Sequence, residues 1–566
     1  MAISQDKYVD HGELTDYLQS LQKAFPGYAS LEEAGRSLEN REIWAVTITD
    51  RSSGRPENKP ALYLDACIHA GEITGTQVCL AFMDALLDGA GKDPVIDRLL
   101  ATRTFYVLPR TNPDGAERFI HTEFESWGNL RPFLLDPETD GLERCDIDGN
   151  KLLLLMRKKD PNGEWKISEK DGRLMIPREP YEYDGAYYSI YPEGLLKGEE
   201  VTADDFKVLP RKYQLNMNRN YPDGWNIQTA ISEGGEYPLS EPETRAVALF
   251  IMAHRNIGMI QDLHTNAGVI LRPYSYQDDS HIPALDMEIM RQFGEMAKKE
   301  TGYDTVGVFE AFATPNEPPR RGCLDDWTYD SLGMLSLCTE LWNLAEKVGI
   351  GHEEGNYYPD QLKTEEEELM MLRWNDEQLG GKNFINWTAF DHPQLGPVEL
   401  GGWNWKYTVK NPPVQYLAEE CRKVTAMLLK QANFLPELMV KSAKTEKLAE
   451  GLYKLSLTVE NAGFLPSFIV AKALENKVAP TVTATLSADG GFTPVKGKTV
   501  QSLGHLAGRI RMDRAFYFGD PTEGVPQKAA TVSWVVRAEE GTRFTVRIAS
   551  EKAGTLTYTL PSAKEA

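Results

Sequence analysis

The sequence predicts an α/β unit over residues 1–435 followed by an all-β sandwich over 436–566, on three observations. At 566 residues the chain exceeds what one hydrophobic core usually serves. Through the first part, short apolar runs that end in polar residues alternate with amphipathic helices, the pattern of a largely buried sheet with its site at the carboxyl ends of the strands. Beyond that point the apolar period changes to two, as in short exposed-and-buried strands.

The elements follow in order. GELTDYLQSLQKAF places Leu14, Tyr17, Leu18, Leu21 and Phe25 at helical spacing, and REIWAVTIT then reads as a strand. PALYLDACIHAGEITGTQVCLAFMDALLDG is an apolar run, a polar turn and an amphipathic helix ending near Gly89, a strand-loop-helix unit. TFYVLP is a further strand, closed by the turn Asn112-Pro113-Asp114-Gly115. IGMIQDLHT and LGMLSLCTELW add two more apolar runs with polar ends. The stretch from about 120 to 210, rich in Asp, Gly, Pro and Tyr, breaks this rhythm and reads as an insertion. A helix around 414–433 closes the first unit, and YKLSLTVEN, TVTATLSA, TVSWVVRA, RFTVRIAS and TLTYTL supply the alternating strands of the second.

Bulk properties exclude several roles. The net charge of -23 leaves no surplus of Lys and Arg for phosphates, so no nucleic-acid partner is expected. No run reaches the ~18 apolar residues of a membrane span. The amino-terminal segment has neither basic head nor apolar core, and six scattered cysteines without a CxxC pair read as reduced and buried; together these give a cytoplasmic expectation. Asp146-Ile147-Asp148-Gly149-Asn150 lacks the glycine and glutamate of an EF-hand and reads as an Asp/Gly turn.

The chain has nine histidines, so their positions carry information. His69 and Glu72 lie three apart in a strand-to-helix loop, where both can turn onto one cation, and His264 ends another strand. Zinc accepts imidazole and carboxylate at similar bond lengths, and a catalytic site uses three protein ligands plus an open position. An isolated HxxE pair is more often a polar helix-start cluster, and on these residues alone that alternative stands.

LPRTNPDG, MRKKDPNG, NMNRNYPDGW, DLHTN, GCLDDW and CTELW follow in that order, a series that resembles the zinc carboxypeptidase family over roughly residues 10–430. The resemblance implies a mixed eight-stranded sheet between helices. It implies one Zn2+ per chain, held by His69, Glu72 and His264. It makes Asn218 and Arg219 the grip on a substrate's terminal carboxylate, Arg157 the arginine that stabilises the oxyanion, and Glu340 the general base. Glu340 follows a buried strand thirteen residues after Trp327, the family spacing. The implied reaction is hydrolysis of a C-terminal peptide bond, and the partner a peptide or acylated amino acid with a free carboxylate.

Three features depart from the family. No tyrosine stands at 314–319, where TPNEPP replaces the residue that closes over substrate. Gly71 replaces an arginine between the first two ligands, and Asn216 replaces the carboxylate that supports the first histidine, leaving an amide oxygen to accept the imidazole proton. In GCLDDW either Asp325 or Leu324 falls in the specificity pocket; an acid there selects basic terminal residues. An aspartoacylase-like amidohydrolase and a non-catalytic binding protein on the same scaffold are the competing functions.

Overall fold

The computed structural model describes all residues except 1–4, 126, 133–138, 212, 214, 228–232, 313–317, 352–354, 359–362, 511–526 and 563–566. Eight strands build its central sheet: β1 (Ala29–Arg36), β2 (Glu42–Ile48), β3 (Ala61–Ala66), β4 (Thr104–Leu108), β5 (Ile257–Thr265), β6 (Val269–Arg272), β7 (Asp304–Gly307) and β8 (Leu335–Leu341). Their order is β1-β2-β4-β3-β5-β8-β6-β7. The four central strands β4, β3, β5 and β8 are mutually parallel, while β1 and β2 run antiparallel at one side and β6 returns antiparallel to β8 at the other. The sheet is therefore mixed and eight-stranded.

Period-two alternation sends side chains to two cores. Leu62 and Leu64 of β3 join one cluster with helices Thr74–Gly89, Ala284–Thr301 and Val414–Gln431; Ala61 and Tyr63 join the other with helix Pro242–Ala253. Every residue of β3, β4 and β5 is buried, which explains why these strands read as near-continuous apolar runs. The first helix, α1 (His11–Ala24), starts with a capping box between Asp10 and Glu13 and buries Leu14, Leu18 and Leu21. The second, α2 (Thr74–Gly89), lies close on the sheet: a Cβ at Gly75 would stand 2.8 Å from Ala66 and 3.0 Å from Leu263.

The stretch read as an insertion forms strands of its own. Leu155–Lys159, Trp165–Ile167, Met175–Pro177 and Tyr187–Pro192 enter a six-stranded sheet whose other members, Phe384–His392 and Gly396–Trp403, come from far along the chain. That second contribution was not anticipated. Asp146 and Asp148 cap a tight turn, accepting from Gly149 N and Asn150 N, as the Asp/Gly pattern predicts.

Beyond Leu438 the described strands form two four-stranded antiparallel sheets facing each other across Leu455, Leu457, Trp534, Val546 and Ile548. Between their strands, Leu465, Ile469, Val470 and Ala473 leave the sandwich and pack into the core of the α/β unit. Buried Asp286 fixes this segment by accepting from Ala471 N and Lys472 N. All six cysteines are free thiols, five of them buried. No helix among the described residues is long and apolar enough to cross a membrane.

Candidate metal centre and active site

The carboxyl ends of β3, β5 and β8, three adjacent parallel strands, open onto one cavity of about 300 Å³. His69 and Glu72 sit in the loop between β3 and α2. His264 ends β5, directly opposite Glu340 on β8. The ligand atoms of His69, Glu72 and His264 all lie within 4.8 Å of one another.

Their hydrogen bonds fit a cation. Each imidazole presents Nδ1 inward: His69 Nδ1 is 3.0 Å from Glu72 Oε1, His264 Nδ1 is 2.9 Å from Glu72 Oε2, and the two Nδ1 atoms are 3.2 Å apart. Each outer nitrogen is committed elsewhere, His69 Nε2 to Asn216 Oδ1 at 2.9 Å and His264 Nε2 to Asp262 Oδ2 at 2.7 Å. Protons placed on both Nε2 atoms leave two Nδ1 lone pairs converging on one carboxylate, the tautomers a metal requires. Glu72 Oε2 is buried and has no hydrogen bond among the described residues, although His264 Nδ1 is 2.9 Å away. Burial opposes charge on Glu72, but the Lys410 ammonium, joined by the imidazoles when they are protonated, holds its carboxyl well below the ordinary range. An anion and two neutral nitrogens with outer-shell support suit zinc.

Glu340 lines the same cavity. Burial, and then the neighbouring Glu72 carboxylate, push it up to about 7. Asn218 and Arg219 lie in a short turn opened by Asn216, whose side chain accepts from Asn218 N. Asn218 Oδ1 accepts from Leu324 N, so its Nδ2 is the group left to donate to a ligand. Arg219 is held by Asn218 O at 2.7 Å and lies 3.4 Å from Glu233, and it too lines the cavity.

Leu324 and Asp325, the two candidates for the specificity pocket, take different positions. Asp325 lines the cavity, whereas Leu324 is fully buried in the core beneath. Asp325 is 5% exposed and its Oδ2 has no hydrogen-bond partner among the described residues, while burial, then the Asp262 carboxylate, raise it to about 6. At Gly71 a Cβ would stand 2.8 Å from the Phe119 ring, so the arginine familiar at this point has no room here. Of the stretch 314–319, where the family tyrosine is missing, residues 314–317 lie outside the described residues.

Arg157 requires a correction. It lies on the strand Leu155–Lys159 of the inserted sheet, bonded to Glu399 at 2.9 Å and stacked 4.5 Å from the Trp387 ring centroid, and it is absent from the cavity lining. Linear order within a basic run does not say which sheet its strand joins. The sequence reading missed Lys410 and Trp127. Lys410 is 3% exposed, donates to Glu72 Oε1 at 2.8 Å and to Thr265 O, and stands 4.2 Å from the Trp127 ring centroid. Nothing in WNWKYTVKNPP separates it from a surface lysine; a π-turn over Lys406–Lys410 turns it inward.

Fold and site together define an α/β protein with a candidate His/Glu/His metal centre at the strand ends. Residues 14–369 match the zinc carboxypeptidase family model, and residues 437–561 match a domain family of unknown function. The chain belongs to the zinc carboxypeptidase family, which implies zinc as its metal. It is 30% identical over 194 residues to carboxypeptidase D of Rattus norvegicus, covering 34% of this chain and 14% of that one. It is 26% identical over 266 residues to carboxypeptidase A6 of Homo sapiens, covering 47% and 44%. The chain thus spans less than half the length of these relatives. Among solved structures, thrombin activatable fibrinolysis inhibitor aligns over 76% of this chain and 74% of its own, at 16% identity and a TM-score of 0.42.

Proposed function

We propose that this chain is a metallocarboxypeptidase that hydrolyses the C-terminal bond of peptides with a free α-carboxylate. The observation that carries the reading is the convergence of His69, Glu72 and His264 beside Glu340 in the cavity that Asn218 and Arg219 also line. One zinc per chain would be held by His69, Glu72 and His264. When bound it supplies Lewis-acid polarisation of the scissile carbonyl and acidifies water. Arg219 and the Asn218 amide bind the terminal carboxylate, a planar fork and a donor that suit two anionic oxygens. Glu340 takes a proton from the attacking water and passes it to the leaving amine as the C–N bond breaks and the water oxygen joins the carbonyl carbon. A base near neutrality is suited to both halves of that transfer.

The test compares a peptide acid with its amide. Losing the charge-assisted contact costs on the order of 1.5–3 kcal/mol, so kcat/KM for the amide should be about ten- to hundredfold lower. Arg219→Lys should narrow that gap, because an ammonium cannot reproduce the fork. Equal cleavage of acid and amide, unchanged in Arg219→Lys, would point instead to a deacylase or endopeptidase.

Asp325 sets the terminal side-chain preference within this reading. A buried carboxylate with an unpartnered oxygen favours a substrate cation, so peptides ending in Lys or Arg are expected to exceed those ending in Leu. Asp325→Ala should remove about ten- to hundredfold of that preference in kcat/KM. A Lys/Leu ratio that survives the substitution would place the selecting group elsewhere.

A further inference from the structure

We propose that Lys410 is a catalytic residue of this site: its ammonium stabilises the negative charge that develops on the scissile carbonyl oxygen. The inference rests on the peptidase reading above and adds to it a residue from outside every motif that carries that reading.

Three cationic side chains line the cavity, and only one of them among the described residues touches a metal-ligand candidate. Arg219 is turned toward Asn218 O and Glu233. Arg320 is stacked between Phe312 and Tyr358, 5.3 and 5.4 Å from their ring centroids. Lys410 Nζ is 2.8 Å from Glu72 Oε1. Arg157, the arginine the family resemblance named for this role, lies on another sheet.

The position of Lys410 is built rather than incidental. Asn411 ties its turn to the metal loop on both sides, donating from Nδ2 to Gly71 O at 2.8 Å and accepting at Oδ1 from Thr74 N and Thr74 Oγ1. The same Nδ2 reaches Lys406 O, and Lys406 Nζ anchors the start of the turn on Phe119 O. Thr265 O, next to His264, and the Trp127 face complete the ammonium's surroundings. A lysine held this way cannot swing freely into solvent, which is the preorganisation that transition-state stabilisation needs.

Charge explains why such a group would serve catalysis. Glu72 is the only carboxylate ion-paired with Lys410 among the described residues, although the charge of Lys410 also acts on Glu340; a bound dication draws on the Glu72 carboxylate. The ammonium then gives up part of its compensation in the ground state. Negative charge arising on the carbonyl oxygen offsets it, so the interaction is stronger in the transition state than with substrate, which is the condition for raising kcat.

The experiment uses the full zinc-loaded chain and its Lys410→Met, Lys410→Gln and Lys410→Arg variants. Zinc content and thermal melting are measured beside steady-state kinetics on a peptide acid, together with binding of a phosphonate peptide analogue and of the product amino acid. Lys410→Met should keep its zinc and lose about 10²–10³-fold in kcat, with KM changed less than about threefold. Its affinity for the tetrahedral phosphonate should drop by a comparable factor while product binding holds, and Lys410→Arg should recover at least about tenfold of kcat. Lys410→Gln keeps polar contacts without the charge; it should behave like Lys410→Met and serves in its place if the methionine variant melts. Zinc lost along with the lysine, equal losses for phosphonate and product, or kcat within about threefold of wild type would overturn the assignment. Wild-type activity judges the peptidase reading, and the variant-to-wild-type ratio judges Lys410, so the two failures are distinct.

Discussion

Glu340→Gln is expected to lower kcat by about 10²–10⁴-fold while zinc content and KM stay close to wild type. Glutamine keeps the size and much of the hydrogen bonding of the residue but cannot take a proton from water. The side chain lies near the end of β8, opposite His264, and lines the cavity without belonging to the proposed ligand trio, which would leave its carboxylate available to an attacking water. Its pH behaviour supplies a second readout. Burial and Glu72 raise the group to about 7, and a base works only when deprotonated, so kcat/KM should fall as pH drops through its pKa. A bound dication pulls that value down, which places the acid limb at or below pH 7, and Glu340→Gln should lack it. Activity of the glutamine variant within about tenfold of wild type would mean that another group activates the water.

His264→Ala should have the largest effect on the metal. Removing a ligand should cost more than the ~10–100-fold in affinity typical of an outer-shell change, so the dialysed variant should retain little zinc and little activity while still folding. Asp262→Asn is the graded comparison, since it leaves His264 in place and weakens only the acceptor on its Nε2. It should fall within that ~10–100-fold range. Metal analysis after dialysis, with a thermal melt to establish folding, gives the answer. Full zinc retention in His264→Ala would remove His264 from the ligand set.

The sheet and the acidic and basic groups at its strand ends were readable because burial leaves a strong local mark. β5 reads IGMIQDLHT and β8 reads LSLCTEL; a largely buried strand with His or Glu next to its last residue stands out in any window of that length. Helix Val414–Gln431 was equally plain from its apolar period. What stayed hidden is non-local. Strands Phe384–His392 and Gly396–Trp403 join a sheet whose other strands lie some two hundred residues earlier, and no local period encodes that pairing. Arg157 was misplaced for this reason, because its strand belongs to that sheet. Lys410 was missed because a π-turn, not a periodic element, decides where it points. The choice between Leu324 and Asp325 needed the rotation of a helix start, which spacing alone does not fix.

The segment from Leu465 to Ala473 carries a consequence for how the chain is made. A Cβ at Gly258, near the start of β5, would stand 2.8 Å from Ile469 Cδ1, so the central strand of the metal-bearing sheet is sealed by a residue that emerges far later in synthesis. Domains fold as units from the amino terminus during translation, and long-range contacts come late. The sheet that carries His264 therefore leaves the ribosome with one patch of its core still open to water. That patch is closed only when the stretch around Ile469 has been made and Asp286 has captured its backbone. Until then the α/β unit lacks the residues that cover this patch in the finished protein.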